Sequence, residues 1–161
     1  DLDLKNKWPY KFTLSEVQCG AGIVMMRKLD QFNDLRISRA KQFIKNFSNF
    51  PELNFNESFN DRRHVYHLLS AYYKSSKKIN RNILIKKLYE DYSIKCAVQY
   101  YPLYKYSLFK KMGFSKGKCP NTEKFYNNMI SFPFHIWMTN DQFNYMISSV
   151  KKVLLYLRKQ R

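Results

Sequence analysis

The sequence predicts an α+β fold, in which long N-terminal helices precede a small, mostly antiparallel sheet covered by helices. Three observations support this prediction. The chain has 161 residues, of which 45% are hydrophobic and 17% aromatic, which is enough for one packed core. Apolar residues recur at helical spacing towards both ends, and shorter runs rich in aromatic and branched residues lie between them. Only 4 residues are Gly and 5 are Pro, which excludes the collagen-like and low-complexity classes.

The chain is expected to begin with an extended lead-in over residues 1–12, because Trp8 precedes a proline and is pushed towards extended geometry. Thr13 and Glu16 then have the spacing of a capping box. The first helix is therefore predicted to begin here, and its apolar stripe continues to Leu29.

Small residues occupy consecutive positions of this first helix, over Cys19–Gly22. Each of the two glycines costs about 1 kcal/mol relative to Ala inside a helix. We therefore expect another helix or a partner subunit to pack closely against this stretch, with Cys19 as a small core residue. A second helical pattern covers Asp34–Phe47.

The middle of the chain alternates between predicted strands and one helix. Ser48–Asn60 is typical of a loop with one short strand, and Val65–Tyr73 predicts a buried strand. Asn80 is in position to cap a helix over Arg81–Tyr92. Ser93–Tyr101 alternates between apolar and polar residues and is followed by a proline, so it predicts another strand.

The C-terminal part predicts three helices and one short extended segment. A short helix is expected over Ser107–Met112, and a proline opens the next helix over Asn121–Met129. Ser131–Ile136 contains a proline and is typical of a sheet edge. Thr139 caps the last helix, which runs to about Leu157.

The charge of the chain is strongly basic. It carries 29 basic and 12 acidic residues, a net charge of +17, which points to anionic partners such as nucleic acid, phosphorylated metabolites or an acidic surface. The basic residues are spread along the whole chain, which favours a solvated basic surface over a dedicated nucleic-acid footprint.

Targeting signals and cysteine usage indicate a cytoplasmic protein. No apolar run approaches the length of a membrane span, and the start of the chain has no secretory pattern. The 3 cysteines are an odd number and contain no Cys-x-x-Cys, which favours reduced thiols. The chain begins with Asp-Leu-Asp, which suits a piece of a longer protein or a processed product.

Local patterns do not assemble a catalytic set or a metal site. The sequence contains neither a Walker loop nor a Rossmann fingerprint. His64 and His67 fall in a predicted strand, where they point to opposite faces, so a shared metal is not expected. Arg62 and Arg63 could pair with a phosphate, although an exposed charge pair is the favoured interpretation.

Aromatic residues are densest over Tyr100–Tyr106. Two interpretations remain open for this cluster. Its rings could pack into the core at the end of a strand, or its phenols and one ammonium could form a rim that stacks on a base or binds a phosphate.

Four stretches, in this order, resemble the C-terminal part of the pyridoxal-phosphate sugar aminotransferases of the DegT/DnrJ/StrS family. Pro9–Gly22, continuing to a Lys-Leu-Asp at residues 28–30, is similar to the family's Gly-Tyr-Asn-Tyr-Arg-Met-Ser-Glu helix start. His64–Leu68 resembles its first small-domain strand, and Ser93–Tyr104 its Gly-Ile…Tyr-x-Pro-Leu-His strand end. Cys119–Thr139 resembles its Pro-x-Ala-Glu…Ser-Leu-Pro…Leu-Thr tail.

The resemblance implies a dimeric enzyme that moves an amino group from glutamate to a nucleotide-linked keto sugar, with pyridoxal phosphate bound to a lysine. That lysine lies upstream of the matched part in the family, so no catalytic residue is assigned here and the isolated chain is expected to be inactive. Residues 1–60 are expected to be interface helices that link to the missing large domain. Residues 61–161 are expected to be the small C-terminal α+β domain, whose partner is a second copy or the missing N-terminal half.

Three site residues follow from the resemblance. Lys11 stands where the family has the Asn that reaches the cofactor phosphate of the other subunit. Tyr104 stands where the family has a His near the nucleotide-sugar site, and Tyr101 is expected to bind substrate beside it. Thr13 replaces the Arg of the first motif. These departures imply a divergent member, an unusual substrate, or a copy that has lost activity.

Two other hypotheses stay open. The net charge of +17 and the tyrosine cluster suit a basic nucleic-acid-binding module, which salt-dependent binding of an arbitrary duplex or single strand would support. The second hypothesis is a non-catalytic subunit that only dimerises with a complete aminotransferase. We expect neither nucleic acid nor membrane as the partner.

Overall fold

A computed structural model describes residues 13–56, 61–114, 117 and 119–160. Within these ranges the chain forms six α-helices, three strands and a short 3-10 turn. In chain order the elements are α1 (Glu16–Arg27), α2 (Leu29–Asn46), β1 (Leu53–Phe55), β2 (Leu69–Tyr73), α3 (Arg81–Tyr92), the 3-10 turn (Leu103–Lys105), α4 (Ser107–Lys111), α5 (Pro120–Asn128), β3 (Met129–Phe132) and α6 (Asn140–Arg158).

The three strands form one antiparallel sheet in the order β1-β2-β3. Leu69, Ala71 and Tyr73 of β2 are buried, whereas the residues between them are half-buried. This alternation places every second side chain of the strand in the core. The predicted α+β class with a small antiparallel sheet is therefore confirmed.

Helices α2, α3 and α6 supply much of the core that meets the sheet. Phe43 of α2 packs against Phe132 of β3 and Phe143 of α6, with ring centroids 5.0 and 6.3 Å apart. The α6 helix begins with the predicted capping box, in which Thr139 accepts from the Gln142 N–H and Gln142 accepts from the Thr139 N–H. It then buries eight residues along one face.

The first helix begins two residues later than predicted. Ser15 accepts a hydrogen bond from the Gln18 N–H, and the Gln18 side chain accepts one from the Ser15 N–H, so the capping box is not the one at Thr13. The second helix begins at Leu29 rather than Asp34 and follows α1 after a single residue.

The α1 helix buries none of its residues within the described chain. Cys19 is exposed, so its prediction as a core residue is wrong. A methyl group added at Gly20 or Gly22 would meet no described atom within 4 Å. The close contact expected at these small residues is therefore absent from the described part of the chain.

Two predicted strands are shorter than their patterns indicated. Only Leu69–Tyr73 of the first run forms a strand, because Tyr66 has a φ of 50° and its N–H donates to His64 Nδ1 instead of a neighbouring strand. Over residues 93–101 only Ala97 pairs with the sheet, through Ser131, and the N–H of Gln99 donates to the Met129 sulfur.

No helix among the described residues has both the length and the apolarity needed to span a lipid bilayer.

Candidate functional site

A cleft of about 670 Å³ opens between the 3-10 turn, α4 and the start of α5. It contains a phenol, two ammonium groups and a carboxylate, together with small and apolar side chains. Its lining residues are Tyr104, Lys105, Lys110, Gly117, Cys119, Pro120 and Glu123.

Local structure brings these groups together from sites far apart in sequence. Buried Pro102 precedes the 3-10 turn, and its carbonyl accepts from the Lys105 N–H at 2.9 Å, which fixes the turn. Pro120 occupies the first turn of α5, where a missing N–H costs no helical hydrogen bond. Glu123 lies in the same first turn, where the helix dipole favours a negative charge.

Glu123 links two of the cleft residues. The Tyr104 hydroxyl donates to Glu123 Oε1 at 2.8 Å, and Lys105 Nζ lies 3.1 Å from Glu123 Oε2. These contacts lower the pKa of the Glu123 carboxyl, the Tyr104 bond most and the Lys105 bond next. Burial and the bond to Glu123 raise the pKa of Tyr104 from 10.0 to about 12. The phenol is therefore a neutral donor at physiological pH.

The remaining ammonium of the cleft belongs to Lys110 on α4. The described residues give it no ion pair, whereas Lys105 is already paired with Glu123. The cleft thus combines a phenol oxygen with a cation that has no ion pair among the described residues, and such a cation suits a phosphorylated ligand.

Tyr101 belongs to a stack of rings beside the cleft. It meets Tyr106 and Tyr126 edge-on, with centroids 5.0 and 5.4 Å apart. Arg81 lies over the Tyr126 ring, with its guanidinium carbon 5.7 Å from the ring centroid. Packing therefore accounts for part of the predicted aromatic cluster, although Tyr101 keeps 37% of its surface and Tyr100 keeps 70%.

The predicted site residues are thus partly brought together. Tyr104 lines the cleft and Tyr101 lies in the neighbouring stack. Lys11 lies outside the described residues. Glu123 was not predicted as a site residue, although its place in the first turn of a proline-started helix is a detectable signal.

Other residues singled out from the sequence have structural roles. Arg63 donates to Asp30 and Asp34 of α2, both at 2.7 Å, and these bonds raise its pKa. No group of three or more possible metal ligands occurs among the described residues, His64 and His67 included. Among the cysteines, burial raises the pKa of Cys96 to about 12.

Comparison with known proteins identifies relatives that are similar in sequence to this chain. An uncharacterized protein of Methanocaldococcus jannaschii, MJ1066, is 29% identical over 147 residues, which cover 90% of this chain and 38% of that protein. The UDP-4-amino-4,6-dideoxy-N-acetyl-beta-L-altrosamine transaminase of Campylobacter jejuni serotype O:2 is 25% identical over 155 residues, 93% of this chain and 39% of that enzyme.

A solved structure shows the same fold. Helicobacter pylori PseC, an aminotransferase involved in the biosynthesis of pseudoaminic acid, superposes with a TM-score of 0.79 at 21% identity, covering 94% of this chain and 40% of its own. The chain therefore spans well under half the length of each of these relatives. The sequence profile of the DegT/DnrJ/EryC1/StrS aminotransferase family matches residues 4–151. The chain belongs to the DegT/DnrJ/EryC1/StrS aminotransferase family.

Proposed function

We propose that this chain is the C-terminal part of a nucleotide-sugar aminotransferase, which moves an amino group from glutamate to a keto sugar attached to a nucleotide. The family match over residues 4–151 is the observation that carries the proposal. The name of the Campylobacter relative, a transaminase of a UDP-linked amino sugar, supports the substrate class. Because the chain spans 38 to 40% of its relatives, the activity belongs to a complete assembly rather than to this chain alone.

The described residues do not by themselves fit the reactive end of pyridoxal phosphate. A Schiff-base lysine has to be withdrawn from water and free of competing partners. None of the described lysines is buried, and the three that are half-buried, Lys87, Lys105 and Lys151, are bound to Asp91, Glu123 and Asn46. The cofactor lysine is therefore not expected among the described lysines, and we propose that it comes from the remainder of the enzyme.

We assign the cleft at Tyr104 to the nucleotide-sugar substrate. The Tyr104 hydroxyl donates its proton to Glu123, so its oxygen can accept a hydrogen bond from a hydroxyl or N–H of the ligand, and Lys110 can attract a phosphate. Tyr101 presents a partly exposed ring beside the cleft on which a base or sugar can pack. In this assignment these residues bind and orient the substrate.

The exposed apolar residues of α1 support docking onto the missing large domain or a second subunit. Val17, Ile23 and Met26 expose 82, 56 and 67% of their surfaces, which is a large apolar area for a helix in water. Lys11, four residues before the Ser15 cap, remains the proposed contact to the cofactor phosphate of the other subunit.

Coexpression with the N-terminal half of a relative, which contains the family's lysine motif, tests this proposal. We expect a stable complex that is yellow and carries pyridoxal phosphate, detected by its visible absorbance. A complex that forms but never takes up the cofactor would instead support the non-catalytic partner hypothesis. Absence of any complex would overturn the assignment as half of an aminotransferase.

Substitutions in the cleft test the substrate assignment within that complex. Removal of one hydrogen bond to the ligand by Tyr104→Phe should weaken nucleotide-sugar binding about threefold to tenfold. Tyr145→Phe is a matched control, because its hydroxyl donates to the Tyr92 carbonyl on another part of the surface. Equal affinities of both variants, measured by calorimetry, would exclude the cleft as the substrate site.

A further inference from the structure

A second, smaller pocket lies away from the cleft, on the edge of the sheet formed by β3. Its volume is about 200 Å³, and three segments enclose it: the chain before β2, residues 95–99, and the stretch from β3 to residue 134. Its lining residues are His67, Leu68, Leu69, Lys95, Ala97, Gln99, Ser131, Phe132, Pro133 and Phe134.

Ser131 is the buried polar residue of this pocket. Its main chain is satisfied, since its N–H donates to Ala97 O at 2.8 Å and its carbonyl accepts from Ala97 N at 2.9 Å. Its side-chain oxygen has no hydrogen-bond partner among the described residues, although the residue is only 3% exposed. A buried hydroxyl without a partner is costly and calls for a ligand or a bound water.

The other polar groups of the pocket are suited to binding an anion. Lys95 contributes an ammonium, Gln99 an amide and His67 an imidazole, all of which can donate hydrogen bonds. The lining contains no Asp or Glu that would compete for these donors. The pocket is smaller than the roughly 300–1,000 Å³ of sites that hold drug-sized ligands. A group as small as a carboxylate or phosphate fits this space, and a whole nucleotide does not.

From these observations we infer that the pocket beside β3 is a binding site for a small oxyanion, held by the Ser131 hydroxyl together with Lys95 and Gln99. The site is separate from the cleft at Tyr104 and shares none of its lining residues. The inference does not depend on the aminotransferase activity, so the two can fail independently.

Nuclear magnetic resonance titration of the isotope-labelled 161-residue chain tests the site. Sodium phosphate and sodium glutamate are titrated separately, with sodium chloride at equal ionic strength as the control. We expect saturable shifts of the Ser131 amide and the Gln99 side-chain amide. Saturation by phosphate alone or by glutamate alone identifies which kind of oxyanion the pocket prefers, and saturation by neither means that solvent fills it and overturns the inference.

Two variants link the response to the pocket. Ser131→Ala should weaken binding about threefold to tenfold, as expected for the loss of one hydrogen bond. Lys95 is exposed, so Lys95→Gln should leave the fold intact. It therefore still tests the pocket if the serine variant does not fold. Lys152→Gln, on the exposed side of α6, is the matched control for total charge. Equal weakening by both lysine variants would show non-specific attraction and refute the site.

Discussion

Glu123 shows how a single side chain can hold two neighbouring polar groups in place. Its carboxylate accepts from the Tyr104 phenol and pairs with Lys105, so one negative charge holds a neutral phenol and a cation in a fixed geometry. Because Lys105 is paired with Glu123, Lys110 is the cleft cation that has no ion pair among the described residues. The charge that a ligand meets in the cleft therefore depends on this carboxylate.

Removal of the phenol should change the titration of the carboxylate. In Tyr104→Phe the largest contact that lowers the Glu123 pKa is lost, so we expect that pKa to rise towards 4.5. Carbon-detected magnetic resonance of the carboxyl group measures it directly. Tyr145→Phe serves as the control and should leave Glu123 unchanged, and an unchanged Glu123 pKa in Tyr104→Phe would mean that the hydrogen bond does not form in solution.

Tyr104 should also make the stability of the fold depend on alkaline pH. Its pKa is raised in the folded chain from 10.0 to about 12, so the folded state holds the proton more tightly than the unfolded state. The resulting stabilisation is complete below pH 10 and is lost as the pH rises towards 12. Urea unfolding across this interval should show a steeper decline for the parent chain than for Tyr104→Phe.

At the scale of elements, α6 buries more residues than any other described helix. It buries eight residues, among them Phe143, Val150 and Leu157, along a face that also meets α3. The capping box at Thr139 determines where this helix begins and therefore which residues face inwards.

Loss of that cap should destabilise the chain by a measurable amount. Thr139→Ala removes the acceptor for the Gln142 N–H, and we expect a loss of about 1 kcal/mol in the free energy of unfolding. Ser148→Ala, an exposed position on the same helix, should stay within about 0.5 kcal/mol of the parent. Urea denaturation compares the two, and equal values would contradict a stabilising cap.

Packing of α2 against the sheet depends on Phe43. This ring is fully buried and meets Phe47, Phe55, Phe132 and Phe143. Phe43→Ala should cost about 3–5 kcal/mol through the cavity that it leaves. Leu35→Ala on the exposed side of α2 is the control, and thermal unfolding is measured for both variants. Equal losses of stability in the two variants would contradict a stabilising role of the Phe43 ring.

At the scale of the whole molecule, apolar residues are distributed unevenly between a buried core and the exposed helix α1. One core covers the inner face of the sheet, whereas α1 exposes apolar residues and buries none within the described chain. A charged residue on α1 should therefore have little effect on folding but should prevent assembly with the proposed N-terminal half.

Val17→Asp tests this division of roles. We expect an unchanged thermal midpoint for the chain alone and a loss of binding to the coexpressed half, measured by light scattering. Tyr89→Asp, at an exposed position of α3, should leave binding intact. Unimpaired assembly of the Val17 variant would show that α1 is not the docking surface.

Local patterns predict most of the elements, and the limits of that prediction have physical causes. Thr139 was predicted as a cap because its box has no competing neighbour, whereas Thr13 and Ser15 both satisfy the pattern and only the folded chain selects Ser15. The alternating run at residues 93–101 does not form a strand because Gln99 donates to a sulfur on another element. Such a contact between distant parts of the chain cannot be derived from periodicity.

The site was predictable only in part for a similar reason. The resemblance indicated Tyr104 as a substrate residue, but its bond to Glu123 spans 19 positions and depends on how a 3-10 turn meets the first turn of α5. The division at residue 60 and the roles of Lys11, Tyr101 and Tyr104 stay predictions.

The uneven exposure of the thiols makes the chain suitable for site-directed labelling. Cys19 on α1 and Cys119 at the rim of the cleft are exposed, whereas Cys96 is largely withdrawn from water and its high pKa keeps it protonated. A maleimide fluorophore should therefore react at the first two and spare the third. After Cys119→Ser, the dye on α1 would report docking of another polypeptide, and after Cys19→Ser, the dye at the cleft would report its occupation.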